Sequence, residues 1–159
     1  MNKLIYVAAA AAMLVAADAA TAAPATVNFV AVDKMSDVPH SLRDREDMEF
    51  LFREHLSKLA GKLPDGQVLK VDFLDIDLAG EEFPRVAIRD VRVMKGQADW
   101  PRLHFRYSIE QDGRVISSGE RKLANMAYLM TRNRYERDMY GHEKQMLDDW
   151  FNKDILHRR

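Results

Sequence analysis

Residues 67–80 read "QVLKVDFLDIDLAG", and the phase of the apolar positions in this stretch decides the fold. Side chains alternate along a strand with period two, so Leu69, Val71 and Phe73 share one face while Leu74, Ile76 and Leu78 share the other. The phase changes at Phe73-Leu74. A β-bulge there returns both apolar sets to the core side and turns Asp75 and Asp77 outward. The stretch is thus expected to be a long strand with one buried face.

Asp75 and Asp77 belong to an acidic run, Asp72, Asp75, Asp77, Glu81 and Glu82. Counted from Asp75, the spacing begins like a calcium loop, with Gly80 at position six. Positions five and twelve, which must supply ligands in an EF-hand, are Ala79 and Val86. A true EF-hand is therefore out, and only a looser cation site from Asp75, Asp77 and Glu81 stays open. Two aspartates two apart on a strand stand about 6.5–7 Å from each other. That overlaps the carboxylate spacing of inverting glycosidases, but every such pair does, so the coincidence carries no mechanism. No metal and no cofactor is assigned.

On the N-terminal side, "ATVNFVAVD" (25–33) alternates as a first strand with Val27, Phe29 and Ala31 facing one way. "KMSDVPH" interrupts it. Ser41 then opens a helix through the capping box "SLRD". Met48, Leu51, Phe52, Leu59 and Leu63 recur at helical spacing, and Glu49–Arg53 and Glu54–Lys58 are i,i+4 ion pairs beside them. "PDG" (64–66) ends the helix. His55 lies inside the stripe and reads as a packed helix histidine, with no acidic partner visible on its face. Phe50 projects away from the stripe and is expected to be covered by the "KMSDVPH" loop.

On the C-terminal side, "VAIRDVRVM" (86–94) reads as a third strand. "PRLHFRYSIEQDGRVISSGERKL" (101–123) reads as a hairpin turning at Asp112-Gly113. A plain two-residue loop pairs Ile109 with Ile116 and Tyr107 with Ser118. Leu103, Phe105, Tyr107 and Ile109 make the core face of the first arm, and the polar second arm suits a sheet edge. Met139, Met146, Leu147, Trp150 and Phe151 mark a closing helix over about 139–156. Together these elements predict an α+β fold: a mostly antiparallel sheet of four to five strands with two amphipathic helices, as a two-layer sandwich.

"DWPR" (99–102) holds the second notable group. Arg102 can reach an acid across the sheet end, and Trp100 can lie over it as a lid. Trp and Arg are also the residues over-represented in binding hot spots. Asp75, Asp77, Trp100 and Arg102 are accordingly the candidate partner-binding residues, with a purely fold-closing role as the other reading.

Several chemistries fail outright. "HEKQM" (142–146) places Met146 where a zinc-protease helix needs histidine, and no nucleophile elbow or phosphate-cradling glycine loop exists. His104 reads as a surface histidine, and "RNRYER" (132–137) as a solvated loop. No catalytic residue is assigned, and an enzyme is the second hypothesis, carboxylate- or ion-dependent through Asp75 and Asp77.

The N-terminus sets the compartment. "MNK", then the apolar Leu4–Ala17, then "DAATAA" form the three parts of a signal peptide, with cleavage after Ala22. The apolar run is 14 residues, short of the roughly 20 that span a bilayer. Residues 23–159 remain as a single domain, expected in the periplasm with no membrane span. The chain of 159 residues has no cysteine, which excludes a lipid anchor, disulfides and thiolate metal sites. Its net charge of −1 and lack of a basic block argue against nucleic acid as a partner.

In combination, the leader, "LKVDFLDIDLAGE", "DWPRLHFRY", "NMAYL" and "EKQMLDDWF" resemble the proteobacterial domain-of-unknown-function family numbered 3016. The resemblance spans the chain after the leader and implies an exported bacterial protein. It transfers no catalytic residues. The expected function is a non-catalytic envelope module that binds a protein or cell-envelope component.

Overall fold

The structure is a computed structural model that describes residues 25–83 and 91–157. The leader at 1–22, positions 86–90 of the third expected strand, and Arg158 and Arg159 lie outside the described residues. The elements run β1 (Ala25–Phe29), a 3-10 turn (Val32–Lys34), α1 (Leu42–Ala60), β2 (Gln67–Asp77), β3 (Glu81–Phe83) and β4 (Val91–Val93). Then follow β5 (Arg102–Gln111), β6 (Arg114–Ala124), α2 (Gly141–Trp150) and a π-helical turn (Phe151–Ile155). The main sheet has the order β1-β2-β5-β6, and β3 and β4 form a separate two-stranded ribbon. Only β1–β2 is parallel in the main sheet, because α1 carries the chain back between them as a crossover. The α+β class read from the sequence is the observed one.

β2 contains the bulge that its apolar phase demands. Pairing with β5 passes from Phe73↔Phe105 directly to Asp75↔His104, leaving Leu74 without a partner. Leu69, Val71, Phe73, Ile76 and Leu78 are all buried as a result. They meet Met48, Phe52, Leu56 and Leu59 of α1 and Leu147, Trp150 and Phe151 at the other helix. Phe73 is the centre of an aromatic group. It stacks on Phe29 at 5.2 Å and meets Phe52 at 5.4 Å and Phe105 at 5.7 Å. Each fully buried side chain of this size contributes about 1.5–3 kcal/mol, and edge contacts add roughly 0.5–1.5 kcal/mol per pair.

The Ser41 cap forms, its hydroxyl accepting from Asp44 N–H at 3.4 Å, and both i,i+4 ion pairs of α1 are present. The hairpin turns at Asp112-Gly113 with both residues at positive φ, as a type I′ turn requires. The core face of β5 is Leu103, Phe105, Tyr107 and Ile109, and β6 is the sheet edge.

Five expectations are corrected. A second bulge, in β6, pairs Glu110 with Val115 and Ile109 with Ser117. Ile116 is the extra residue and Tyr107 faces Gly119 in place of Ser118. β1 stops at Phe29 because Ala31 takes a left-handed conformation, φ 51°, that starts the 3-10 turn. Phe50 is 63% exposed: the loop before α1 instead buries Met35 and Val38 against the core. Met139 lies outside α2 and is exposed, since Tyr140, also left-handed at φ 56°, delays the helix to Gly141. The described part of the third expected strand, β4, belongs to the ribbon and not to the main sheet.

Candidate functional site

The structure brings Asp77, Arg102 and Trp100 together. Asp77 and Arg102 are cross-strand partners of β2 and β5 and form an ion pair. The Arg102 guanidinium lies 4.7 Å from the Trp100 ring centre. Asp75 is engaged elsewhere, accepting from Ser36 N–H at 2.7 Å and from Ser36 Oγ–H at 2.8 Å. Asp99 holds the loop before Trp100, accepting from Lys95 N–H, Gln97 N–H and the Tyr128 hydroxyl. Each acid at this end of the sheet therefore fastens a loop or an arginine. Glu81, the third member of the looser cation site, pairs with Lys95. Among the described residues no group of three or more His, Asp or Glu side chains is placed to hold a metal ion.

A larger feature lies beside it. A cleft of about 440 Å³ opens between the β3–β4 ribbon, the end of β2 and the start of α2. Its floor is built around the backbone of Ala79. Ala79 N–H donates to Glu143 Oε1 at 2.7 Å, and the Ala79 carbonyl accepts from Arg92 Nε at 3.1 Å. Arg92 also pairs with Asp37 and donates to the Gly80 carbonyl at 3.4 Å, with Glu82 at 3.9 Å from Nη1. Nη1 is buried and has no hydrogen-bond partner among the described residues. Glu82 in turn accepts from His40 N–H and stands 3.0 Å from His40 Nδ1.

Local sequence accounts for these placements. Glu143 sits in the first turn of α2 on the same stripe as Met146, Leu147 and Trp150, so the helix phase drives a carboxyl into the protein. It is only 1% exposed. Burial pushes its pKa above the ordinary glutamate value, against the pull of the Ala79 and Glu143 amides and of Arg92. Asp37 is likewise raised, chiefly by burial, with Arg92 opposing. Tyr140, packed against Phe52 at 5.9 Å, is pushed by burial up to about 12. Among the described residues the lining contains no serine, threonine or cysteine, and its one hydroxyl is that of Tyr140.

Sequence reading missed this cleft, because its members come from the ends of four elements far apart along the chain. One signal was present: Glu143 is a charge on an otherwise apolar helical stripe. Sequence reading also missed the acidic partner of His55. That ring is buried between the helices, with Nε2 3.1 Å from the Lys144 carbonyl and 3.1 Å from Asp148 Oδ1. Asp148 Oδ1 lacks hydrogen-bond alignment, so the Nε2 proton serves the carbonyl. Asp148 Oδ2 accepts from the Tyr135 hydroxyl at 2.9 Å. Burial lowers the His55 pKa, outweighing the Asp148 charge that raises it.

A lowered histidine pKa means the unfolded chain takes up the proton first. Stability is therefore full above the unfolded value of about 6.5 and falls as pH drops from there through the folded pKa. His142 shifts in the same direction, through burial, and Glu143 in the opposite sense. Replacing His55 isolates its own part. The fall in Tm between about pH 7.5 and 5.5 is expected to be smaller in His55→Gln than in wild type; an equal fall in thermal melts would remove His55 from the account.

No helix of the described residues is long and apolar enough to cross a membrane. No curated protein and no solved structure matches the chain. The sequence model of one family, "Protein of unknown function (DUF3016)", matches residues 23–153, and the chain belongs to that family.

Proposed function

We propose that the protein is an exported, non-catalytic module of the bacterial envelope that binds a protein or cell-envelope component through the cleft between the β3–β4 ribbon and α2. The observation that carries this reading is the cleft's construction. Its buried charges hold one another and the Ala79 backbone, while its rim presents Val91, Met94 and Met139 at intermediate or high exposure. A charged cluster so engaged fixes the shape of a binding surface, because the carboxyl of Glu143 and the guanidinium of Arg92 are taken up by the backbone of residues 79–80 and by Asp37. Exposed methionines are adaptable contact residues. Asp77, Trp100 and Arg102 stand together at the end of β2 and β5 and offer a second, smaller contact surface.

Export rests on the three-part N-terminus, and the family match begins at residue 23, where cleavage after Ala22 leaves the mature chain. N-terminal sequencing of protein from a periplasmic fraction is expected to begin at Ala23.

The binding reading is tested by cross-linking capture from periplasmic extract. Wild type is compared with Met94→Gln/Met139→Gln, whose side chains are exposed and whose folding is checked by melting. A partner held by wild type and reduced about tenfold or more in the variant supports the cleft; each buried methionine contact is worth on the order of 1 kcal/mol. Equal capture by the two proteins, with loss instead in Trp100→Ala, would move the surface to the sheet end. Turnover of envelope substrates that disappears in Glu143→Gln would make the protein an enzyme.

A further inference from the structure

Resting on the cleft as the binding surface, we infer that its occupant is an extended segment of a partner protein that places an arginine or lysine between apolar side chains. Charge and shape both lead there. The described lining carries five carboxyl groups, on Asp44, Glu82, Glu136, Asp138 and Glu143, against the single guanidinium of Arg92. That guanidinium is already engaged with Asp37 and the Ala79 and Gly80 carbonyls. Asp138 has Lys144 at 3.2 Å. Glu136 is exposed and has no hydrogen-bond or ion-pair partner among the described residues. Among the described residues the lining therefore has an excess of carboxyl groups, with the exposed Glu136 beside His142, and concave walls focus such a field.

The apolar part selects the rest of the ligand. Val91, Met94, Met139 and the ring of Tyr140 flank the acids, so a lone small cation would leave this surface uncovered. About 440 Å³ accommodates a few side chains at once. A basic side chain has the right form for the mouth: its methylenes lie along the apolar walls of Val91, Met94 and Met139 while its charged end reaches Glu136. Nucleic acid and anionic lipid headgroups carry the wrong sign for this surface. Because the long charged side chain must be oriented by its neighbours, apolar residues on either side of it should supply much of the affinity.

The test uses three capped pentapeptides, Leu-Val-Xaa-Val-Leu, in which Xaa is Arg, Gln or Glu. Each is titrated into the isotope-labelled protein while the Gly141 and His142 amide signals are followed. The Arg peptide is expected to shift these signals and to bind about tenfold or more tightly than the Gln peptide, with the Glu peptide weakest. Raising salt from about 0.05 to 0.3 M should reduce the preference, and Glu136→Lys should abolish most of it at unchanged Tm. Equal shifts of Gly141 and His142 by the Arg and Gln peptides would overturn charge recognition and leave the cleft as a binding surface. No shift with any peptide, or shifts elsewhere, would overturn the inference; capture of a partner by the Met94/Met139-dependent assay would still stand independently.

Discussion

Gly141→Ala is expected to lower the Tm by on the order of 10 °C or more, the cost of about 3 kcal/mol in a domain of this size. A Cβ at this position would overlap the Tyr135 carbonyl oxygen and stand 2.9 Å from its carbonyl carbon. Those are backbone atoms, and the residue that carries them is held through both its amide and its side chain. Tyr135 N–H donates to Asn133 Oδ1 at 2.8 Å, and the Tyr135 hydroxyl donates to Asp148 at 2.9 Å. The clash can be relieved only by moving the start of α2, which carries His142 and Glu143 into the cleft. The variant should therefore lose partner capture as well as stability. Gly61→Ala is the control. Gly61 has an ordinary helical φ of −61° and nothing nearer than 3.5 Å to an added Cβ, so it should be neutral or stabilising by about 0.4–1 kcal/mol. Differential scanning calorimetry of the two variants checks both statements.

Arg92→Ala is the second large loss, about 3 kcal/mol at neutral pH, because it leaves the half-buried Asp37 and the buried Glu143 without their cation. Arg92 alone joins Asp37, the Ala79 carbonyl and the Gly80 carbonyl. A lysine has one nitrogen at a different reach and cannot make these contacts together, so Arg92→Lys should recover only part of the stability. The pH dependence gives the mechanism a signature. Arg92 holds the pKa values of Asp37 and Glu143 down against burial, and both rise further when it is removed. A raised carboxyl pKa means that stability grows as pH falls through the folded value toward the unfolded one near 4. The gap between wild type and Arg92→Ala should therefore narrow between about pH 7 and 5. A constant gap across that range would point to lost packing of the arginine stem as the cause.

The parts of the fold that sequence discloses are those whose constraint is local. The phase change at Phe73-Leu74 requires a bulge because two apolar sets must reach one core, and Leu74 is the residue left over. Asp112-Gly113 fixes its turn because both residues tolerate positive φ. Two steps beyond that turn the reading fails: the slip between Ile109 and Glu110 is set by how β6 meets β5 over its whole length, and no residue near Ile116 announces it. Phe50 projects away from the apolar stripe and stays exposed, because the nearby loop uses Met35 and Val38 for the core; a single exposed ring is ordinary.

The candidate site divides along the same line. Asp77 and Arg102 meet as cross-strand neighbours, a relation that follows once β2 and β5 are in register. Arg92, Asp37 and Glu143 meet because three separate chain segments end around Ala79. That convergence depends on tertiary placement. The approach of Asp148 to His55 has the same origin, since it requires α1 and α2 to lie side by side.

The cleft at the start of α2 is the proposed contact surface. The most direct measurement is photo-cross-linking in living cells with a reactive phenylalanine analogue placed at Met139, on the cleft rim, or at Phe50, on the outer face of α1. Both positions are exposed and neither should disturb folding. A discrete adduct from position 139, absent from position 50 and lost when Glu136→Lys is added, is the result expected. Adducts from position 50 with none from 139 would contradict the claim and place the contact surface on the outer face of α1.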